Sequence, residues 1–206
     1  MEKYRPRVIL SAAISLDGKI ATRTGDSKLS SQRDKIRVHK LRSKFDAILV
    51  GKNTLEIDDP LLTARGVKGK NPVRVILDSR ATIHKNSKIL RSCSKIPTII
   101  VISKMAKKKN LEKLKKFPVM VKVCGNNKIN IKNLLKFLKE KKIKNILVEG
   151  GGITNWSFVK ENLVDEAIIT ITPYILGGNS SATLVDGNGF SIIAKSSRLR
   201  LKMLEE

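Results

Sequence analysis

The chain has 206 residues and a mass of 22.9 kDa, a length that predicts one domain over residues 1–206. Apolar residues make up 41% and charged residues 29%, a balance that excludes a disordered protein. No apolar run approaches the roughly 18–20 residues of a membrane-spanning helix, and no signal peptide is expected. Two cysteines without metal-ligand spacing fit a reducing compartment, so we expect a cytoplasmic protein that uses no membrane and no metal.

The net charge is +24, from 42 basic and 18 acidic residues. Such an excess fits either nucleic-acid binding or a solvated lysine surface around a site for small anions. Aromatic residues make up only 4% of the chain, too few for a platform on which single-stranded nucleic acid stacks. We therefore favour the solvated surface, and nucleic acid is not the expected partner.

Apolar segments alternate with helical patterns along most of the chain. Strands are predicted at 7–14, 46–51, 72–78, 97–103, 118–124, 145–149, 167–173 and 198–204. Helices are predicted at 30–44, 104–116, 130–142 and 152–163, with a short helical turn before Asp59–Pro60. This alternation predicts an α/β fold with a largely parallel central sheet flanked by helices. Because no helix separates the last two strands, an antiparallel C-terminal edge is expected.

Three consecutive glycines, Gly150–Gly152, follow a predicted strand and open a predicted helix. Glycines there let backbone N–H groups approach a phosphate closely, and the helix N-terminus adds a positive end. The run matches neither the spaced dinucleotide fingerprint nor a P-loop. Tight packing between strand and helix would also demand small residues, so an anion site and a packing role both stay open.

Two further polar clusters are candidate ligand sites. Thr54 and Asp58 are four residues apart and would share a helical face, although Asp58 also suits turn formation before Pro60. Asp78, Ser79 and Arg80 end a strand at the sheet edge where α/β proteins bind ligands. The arginine suits the 2′-phosphate of NADP and the acid suits the free 2′-hydroxyl of NAD, so the spacing leaves the cofactor open.

No nucleophile with a matching base stands out in the sequence. His39 and His84 have neither metal-ligand spacing nor an obvious serine or cysteine partner, and we interpret them as ordinary surface or interface residues. This suits hydride transfer, which depends on the placement of a cofactor rather than on a protein nucleophile.

Five motifs in order resemble the reductase family of riboflavin biosynthesis, most closely its stand-alone archaeal and fungal form. They are SAAISLDGKIA (11–21), VGKNTLEIDDPLLTAR (50–65), NPVRVILDSR (71–80), ILVEGGGITNW (146–156) and LVDEAIITITPYILGG (163–178). The resemblance implies a dihydrofolate-reductase-like fold, NADPH as hydride donor with NADH as an alternative, and a homodimer. It also implies reduction of the ribosylamino side chain of 2,5-diamino-6-ribosylamino-4(3H)-pyrimidinone 5′-phosphate to ribitylamino, by hydride transfer to C1′ of the ring-opened imine.

The resemblance further implies roles for individual residues. Cofactor contacts fall on Ala13, Thr54, Asp58, Ser79, Arg80, Gly125, Gly150, Gly151 and Gly152. Substrate contacts fall on the Leu61 backbone, Glu149, Arg42 and Arg65; the two guanidinium groups suit a 5′-phosphate. Asp17 and Glu149 are the acids expected nearest the nicotinamide and are the candidate proton donors. Asp26 and Lys28 stand where some relatives have a serine and an aromatic residue.

Two competing functions stay open. One is a dihydrofolate or pterin reductase on the same fold, which the two arginines and the DDPLLTAR context disfavour. The other is a non-catalytic basic protein that binds nucleic acid, which the net charge and the lysine-rich helix predicted at 104–116 support. Relatives usually continue past the 198–204 segment into one more strand, so we expect this chain to lack that partner for its last strand.

Overall fold

The computed structural model describes residues 4–205 and contains a seven-stranded sheet in which every neighbouring pair of strands is parallel. The strands are β1 (Arg7–Ser15), β2 (Ala47–Gly51), β3 (Val73–Leu77), β4 (Thr98–Ile102), β5 (Met120–Val123), β6 (Asn145–Val148) and β7 (Glu166–Thr172). Their order across the sheet is β5-β4-β3-β2-β6-β1-β7. The predicted α/β fold with a parallel central sheet is confirmed.

Six α-helices flank the sheet within residues 4–205. They are α1 (Gln32–Arg42), α2 (Lys52–Asp58), α3 (Lys88–Arg91), α4 (Lys108–Leu114), α5 (Ile131–Glu140) and α6 (Gly152–Val159). The side chains of Ser31, Ser87 and Asn130 accept hydrogen bonds from the first turns of α1, α3 and α5, which explains where these helices begin. The sequence did not predict α3 because four residues are too few to show a helical period.

Two apolar cores lie on opposite faces of the sheet. Successive side chains of a strand point to opposite faces, so β2 contributes to both cores. Ala47 and Leu49 lie in the core under α5 and α6, whereas Ile48 and Val50 lie in the core under α2, α3 and α4. All four side chains are fully buried. Burial of a large aliphatic side chain contributes about 1.5–3 kcal/mol, so these two cores fix the strands that carry the site.

The predicted antiparallel C-terminal edge is wrong. β7 pairs in parallel with β1, and the segment 198–204 has no regular secondary structure. That segment alternates apolar and basic residues as a half-buried strand would, yet Leu199 and Leu201 are 68% and 78% exposed. A strand needs a neighbour for its backbone hydrogen bonds, and no strand within residues 4–205 pairs with this segment.

The strand order brings two distant motifs together. β6 lies between β1 and β2, so the segment after β6 meets the segment after β2. The N–H of Gly51 donates to the Gly150 carbonyl at 2.8 Å, and the N–H of Glu149 donates to the Leu49 carbonyl at 2.9 Å. The carboxyl ends of parallel strands are where open α/β sheets bind ligands, so this edge is the place to look for a site.

Candidate active site

A cleft of about 730 Å³ opens at the carboxyl ends of β1, β2, β3 and β6. Its size falls in the range of roughly 300–1,000 Å³ that is typical of ligand sites. Most of the predicted site residues line it: Ala13, Arg42, Thr54, Asp58, Ser79, Arg80, Glu149, Gly150, Gly151 and Gly152. The others, Asp17, Leu61, Arg65 and Gly125, lie outside the lining.

The glycine loop is held in shape by its neighbours. Gly150 has a φ of 87°, a left-handed conformation that favours glycine. The N–H of Gly151 donates to the hydroxyl of Thr54 at 2.8 Å. A Cβ on Gly152 would collide with the carboxylate of Asp186 and the carbonyl of Thr183. Close packing therefore explains Gly152, and Thr54 already uses one of the N–H groups considered for an anion.

Asp78 lines the cleft, but its carboxylate accepts hydrogen bonds from backbone N–H groups of the turn that follows it. The side chain is 2% exposed and accepts hydrogen bonds from the N–H groups of Thr82 at 2.5 Å and Ile83 at 2.7 Å. It also accepts from the N–H of Arg80 at 3.3 Å. The turn leaves the exposed Arg80 at the cleft, where Lys128 also contributes to the wall. This part of the cleft therefore presents cations and no free carboxylate among the residues that the structure describes around that turn.

Arg42 of α1 and Glu149 after β6 form a paired unit in the cleft wall. The guanidinium donates to both carboxylate oxygens, Nε to Oε1 at 2.9 Å and Nη2 to Oε2 at 2.6 Å. Each side chain is only 13% exposed. Burial lowers the pKa of Arg42, but the charge and hydrogen bonds of Glu149 outweigh burial and raise it. Arg42 is therefore engaged by Glu149, and it also donates to the Thr63 carbonyl at 3.3 Å.

Sequence reasoning missed Asp34, an acid of α1 that lines the cleft and is 6% exposed. Its Oδ1 accepts from Arg37 Nε and from Thr170 Oγ1, both at 2.8 Å. Its Oδ2 is buried and has no hydrogen-bond partner among residues 4–205. Burial raises the pKa of Asp34, but the hydroxyls of Ser30 and Thr170 and the Arg37 guanidinium together lower it below its usual value.

A buried, ionised carboxylate whose second oxygen has no hydrogen-bond partner can accept one more hydrogen bond from an N–H group that reaches it. The only sequence signal at Asp34 is its position three residues after the helix-capping Ser31. An acid there is ordinary for a first helical turn, because it faces the positive end of the helix dipole. What distinguishes Asp34 from an ordinary acid of a first turn is its hydrogen bond with Thr170, which the parallel pairing of β7 with β1 brings beside α1.

Asp17 lies on the exposed turn after β1. Its carboxylate accepts from the Ser15 hydroxyl at 2.6 Å and from the N–H groups of Leu176 and Gly177 at 3.0 and 2.8 Å. These hydrogen bonds, that of Ser15 above all, hold the pKa of Asp17 at about 2. A carboxylate with such a pKa carries no proton near neutral pH, so this group is poorly suited to donate one.

The other predicted residues outside the lining have defined surroundings. The Leu61 carbonyl accepts from Nη1 of the buried Arg74 at 3.3 Å, and Pro60 and Leu62 on either side line the cleft. Gly125 has a φ of 101°, and a Cβ there would collide with the Lys128 carbonyl. Arg65 is exposed, and its backbone is bound to α1.

Other kinds of site find little support in the residues described. Within residues 4–205, no group of three or more His, Cys, Asp or Glu is placed to hold a metal ion. Cys93 and Cys124 are buried free thiols, and neither lines the cleft. No helix of this part of the chain has the length and apolar character needed to cross a membrane.

A comparison with protein families decides where the chain belongs. The RibD C-terminal domain family matches residues 6–206. The chain belongs to the RibD C-terminal domain family. The resemblance inferred from five motifs is thereby confirmed over nearly the whole chain.

Curated relatives in this family fall into two forms. A 2,5-diamino-6-ribosylamino-4(3H)-pyrimidinone 5′-phosphate reductase of Methanothermobacter thermautotrophicus is 43% identical over 201 residues, covering 96% of this chain and 92% of the relative. A reductase of the same name from Aquifex aeolicus is 39% identical, with 96% and 90% covered. The riboflavin biosynthesis protein RibD of Aquifex aeolicus is 40% identical, and the match covers 98% of this chain but 55% of that protein.

Solved structures of the family share the fold. Acinetobacter baumannii RibD superposes with a TM-score of 0.80 at 27% identity, covering 98% of this chain and 55% of that one. The riboflavin biosynthesis reductase of Saccharomyces cerevisiae gives a TM-score of 0.71 at 27% identity, covering 92% and 82%. The chain thus spans about half the length of the RibD protein and most of the length of the stand-alone reductases.

Proposed function

We propose that this chain is a 2,5-diamino-6-ribosylamino-4(3H)-pyrimidinone 5′-phosphate reductase of riboflavin biosynthesis. Reductases with this name are 35–43% identical to it and are covered over about nine-tenths of their length. The observation on this chain that carries the proposal is the buried carboxylate of Asp34 in the cleft wall, one oxygen of which has no hydrogen-bond partner among residues 4–205. A buried anionic acceptor in the cleft is the group that a diaminopyrimidinone, rich in N–H donors, would bind.

The cleft has two chemically different ends, which the topology separates. At one end, Asp34 accepts a hydrogen bond from Thr170 of β7; at the other end, Arg80 follows β3. Three strands lie between β7 and β3, and four spacings of about 4.8 Å make a separation of roughly 19 Å. Such a separation allows the two ends of the cleft to bind different ligand groups. We propose that the base binds beside Asp34 and that the adenosine part of the cofactor binds beside Arg80.

NADPH is the cofactor that we propose for this end of the cleft. Asp78 is the acid that would accept a ribose hydroxyl of NAD, but the N–H groups of its own turn engage its carboxylate. Arg80 is exposed with Lys128 nearby on the wall, and Ser79 offers a hydroxyl. Guanidinium and hydroxyl groups bind a 2′-phosphate, so the donor set fits NADPH better than NADH. When bound, the cofactor supplies the hydride.

Asp34 would select the substrate as well as bind it. Its Oδ2 accepts from the 2-amino group, and the pyrimidinone N–H lies next to that group in the ring. A deaminated pyrimidine presents a carbonyl oxygen at the same place, and two acceptors facing each other in a buried site repel. We therefore propose that this chain prefers the diamino substrate over the deaminated one.

The Arg42–Glu149 pair would hold the side chain of the substrate. Glu149 uses both oxygens to bind Arg42, and its remaining lone pairs are available to ribosyl hydroxyls. This pairing keeps the carboxylate in one orientation in the wall between the two ends of the cleft. We propose that Glu149 positions the ring-opened imine and that water or the substrate supplies the proton, the role first considered for Asp17 and Glu149. Arg65, at the rim, is the proposed 5′-phosphate ligand.

We further propose a homodimer that buries the edge of β7. β7 pairs with β1 on one side, and Ile171 on this strand is 62% exposed. Tyr174 and Ile175, just after it, are 53% and 75% exposed. A second copy offers the same apolar edge, as a two-fold contact requires. Light scattering on Ile175→Lys should give a monomer where the unchanged chain gives a dimer; a dimer in both would contradict this surface.

The test of the proposed function is NADPH consumption by the purified chain with the diaminopyrimidinone ribosylamino phosphate as substrate. NADH and dihydrofolate serve as parallel controls. We expect turnover with NADPH and the pyrimidine, and none with dihydrofolate. Turnover with dihydrofolate alone would assign a pterin reductase, and failure to bind NADPH would overturn the proposal altogether.

A further inference from the structure

The segment that joins α2 to Arg65, residues 59–65, has an unusual backbone. Asp59 and Leu62 have φ angles of 38° and 51°, a left-handed region that residues other than glycine rarely occupy. Such conformations persist only where surrounding contacts impose them. The contacts that hold this segment therefore determine where Arg65 stands.

Three elements, α3, β3 and α1, and the loop residue Asn71 hold the segment through hydrogen bonds. Asp59 Oδ1 accepts from the N–H of Lys88, at the start of α3, at 2.8 Å. The Leu61 carbonyl accepts from the buried Arg74 of β3. The N–H of Ala64 donates to Asn71 Oδ1 at 3.0 Å. The contacts to α1 come last along the segment and are made at Thr63 and Arg65.

His39 of α1 places one ring nitrogen within hydrogen-bond distance of both residues. Nδ1 lies 2.9 Å from the Thr63 carbonyl oxygen and 3.3 Å from the backbone nitrogen of Arg65. With a proton on Nδ1 the ring donates to Thr63, and without it the ring accepts from Arg65. Each tautomer therefore uses the same atom for one of the two contacts, either with Thr63 or with Arg65, on the two sides of Ala64.

The charges around His39 belong to the same site. Arg42 lies one helical turn along α1 and donates to the same Thr63 carbonyl, and Glu149 pairs with Arg42. Burial and the charges of Arg42 and Arg65 lower the pKa of His39, against the opposing effects of Thr63 and Glu149. The ring is therefore neutral at pH 7, which allows either Nδ1 contact.

We infer that His39 is a positioning residue that fixes the backbone at Arg65, so that the Arg65 guanidinium meets the 5′-phosphate of the substrate. This inference rests on the proposed function, because it assigns the phosphate to Arg65. It overturns our interpretation of His39 as an ordinary surface or interface residue. No pattern in the sequence indicates this contact, because α1 and residues 63–65 meet only through the tertiary fold.

A matched pair of amides separates this role from plain stability. An asparagine side chain places its amide near the position of Nδ1, and a glutamine side chain reaches the position of Nε2. We expect His39→Asn to keep the wild-type KM. We expect His39→Gln to raise the KM for the phosphorylated substrate about tenfold, because one positioning hydrogen bond is lost. NADPH binding should stay within about twofold of wild type in both variants.

A purely structural role of His39 would affect the phosphorylated and the dephosphorylated substrate equally. The dependence of KM on the phosphate therefore separates a positioning role from a structural one. On the dephosphorylated substrate, His39→Gln should equal the wild type, and adding Arg65→Ala to His39→Gln should cost no more than Arg65→Ala alone. An equal rise in KM on both substrates, or full additivity with Arg65→Ala, would overturn the inference.

Hydrogen exchange at residues 63–65 separates this inference from the proposed function. The Arg65 amide should exchange faster in His39→Gln than in His39→Asn or the wild type. If the wild type consumes no NADPH with the pyrimidine, the proposed function fails, while exchange still reports on the anchor. Unchanged exchange in His39→Gln would overturn the positioning role whatever the activity.

Discussion

The two ends of the cleft differ in how their polar groups are used. At the Arg80 end, the only acid of the turn is committed to backbone N–H groups, and the cations face the cleft. At the Asp34 end, the Arg37 guanidinium is hydrogen-bonded to the acid, and one buried carboxylate oxygen has no hydrogen-bond partner among residues 4–205. The fold thus leaves one sign of charge available at each end, which directs an anionic cofactor and an N–H-rich base to opposite sides.

The Arg42–Glu149 pair lies between these ends, and breaking it should have the largest effect. Glu149→Ala leaves a guanidinium that is 13% exposed without its carboxylate. Loss of one partner of a buried pair typically costs about 3–5 kcal/mol of unfolding free energy. We expect that loss, with turnover abolished, as measured by denaturant unfolding and NADPH consumption.

Glu112→Ala is the matched control for that change. Glu112 pairs with Lys115 on the surface of α4, where the side chains are 52% and 71% exposed. An exposed pair contributes less than about 1 kcal/mol, so this variant should stay near wild type in stability and turnover. Equal losses in the two variants would show that Glu149 has no special place in the cleft.

The base end is tested by Asp34→Asn, which keeps the shape of the side chain and removes its charge. A hydrogen bond to a charged group is worth about 1.5–3 kcal/mol, so kcat/KM for the diamino substrate should fall by about 10- to 150-fold. The loss should be smaller on the deaminated substrate, because its carbonyl gains a donor in the amide. An equal loss on both substrates would contradict the role of Oδ2 in recognising the amino group.

The cofactor end is tested by Arg80→Ala, for which we expect a smaller effect because the side chain is exposed. NADPH should bind about tenfold more weakly, and NADH should bind as before. Arg91→Ala, an exposed arginine of α3 outside the cleft, is the control and should change neither. If Arg80→Ala weakened the binding of NADH as much as that of NADPH, Arg80 would not be the ligand of the 2′-phosphate.

The smallest effect is expected for Asp17→Asn. The pKa of Asp17 is about 2, below its ordinary value of 3.8, so the ionised group stabilises the fold above about pH 4 and this contribution is lost as the pH falls towards 2. Nothing at this residue titrates between about pH 6 and about pH 9, so the pH profile of kcat should be unchanged there. If Asp17→Asn shifted the pH profile of kcat in that range, Asp17 would again be a candidate proton donor.

The well-predicted parts of the molecule are those with local signals. β1 to β7 are short apolar runs bounded by polar residues or turns, and all seven were predicted within a few residues of their ends. The segment 198–204 carries the same alternation, but a strand exists only where a neighbour receives its hydrogen bonds, and the alternation contains no information about neighbours. α3 was not predicted, because a helix of four residues is too short to show a helical period of apolar side chains.

The site residues likewise form two groups, those with a local signal in the sequence and those whose surroundings depend on distant parts of the chain. Arg80 and Gly150–Gly152 follow strand ends, where topology alone marks ligand sites, and Thr54 lies in the first turn of α2; all of them line the cleft. Asp34 and His39 are helical residues whose partners, Thr170 and Thr63, are distant in sequence. Spacing along a helix says nothing about such partners. The availability of Asp78 was also beyond sequence reasoning, since only the folded turn shows that its carboxylate is engaged.

The central claim, that each end of the cleft serves one ligand, is tested most directly by calorimetric titration of two variants with two ligands. NADPH and the diaminopyrimidinone phosphate are each titrated into Arg80→Ala and Asp34→Asn. We predict a crossed result, in which Arg80→Ala weakens only NADPH and Asp34→Asn weakens only the pyrimidine. If each variant weakens both ligands equally, the two ends are not separate sites and the account is wrong.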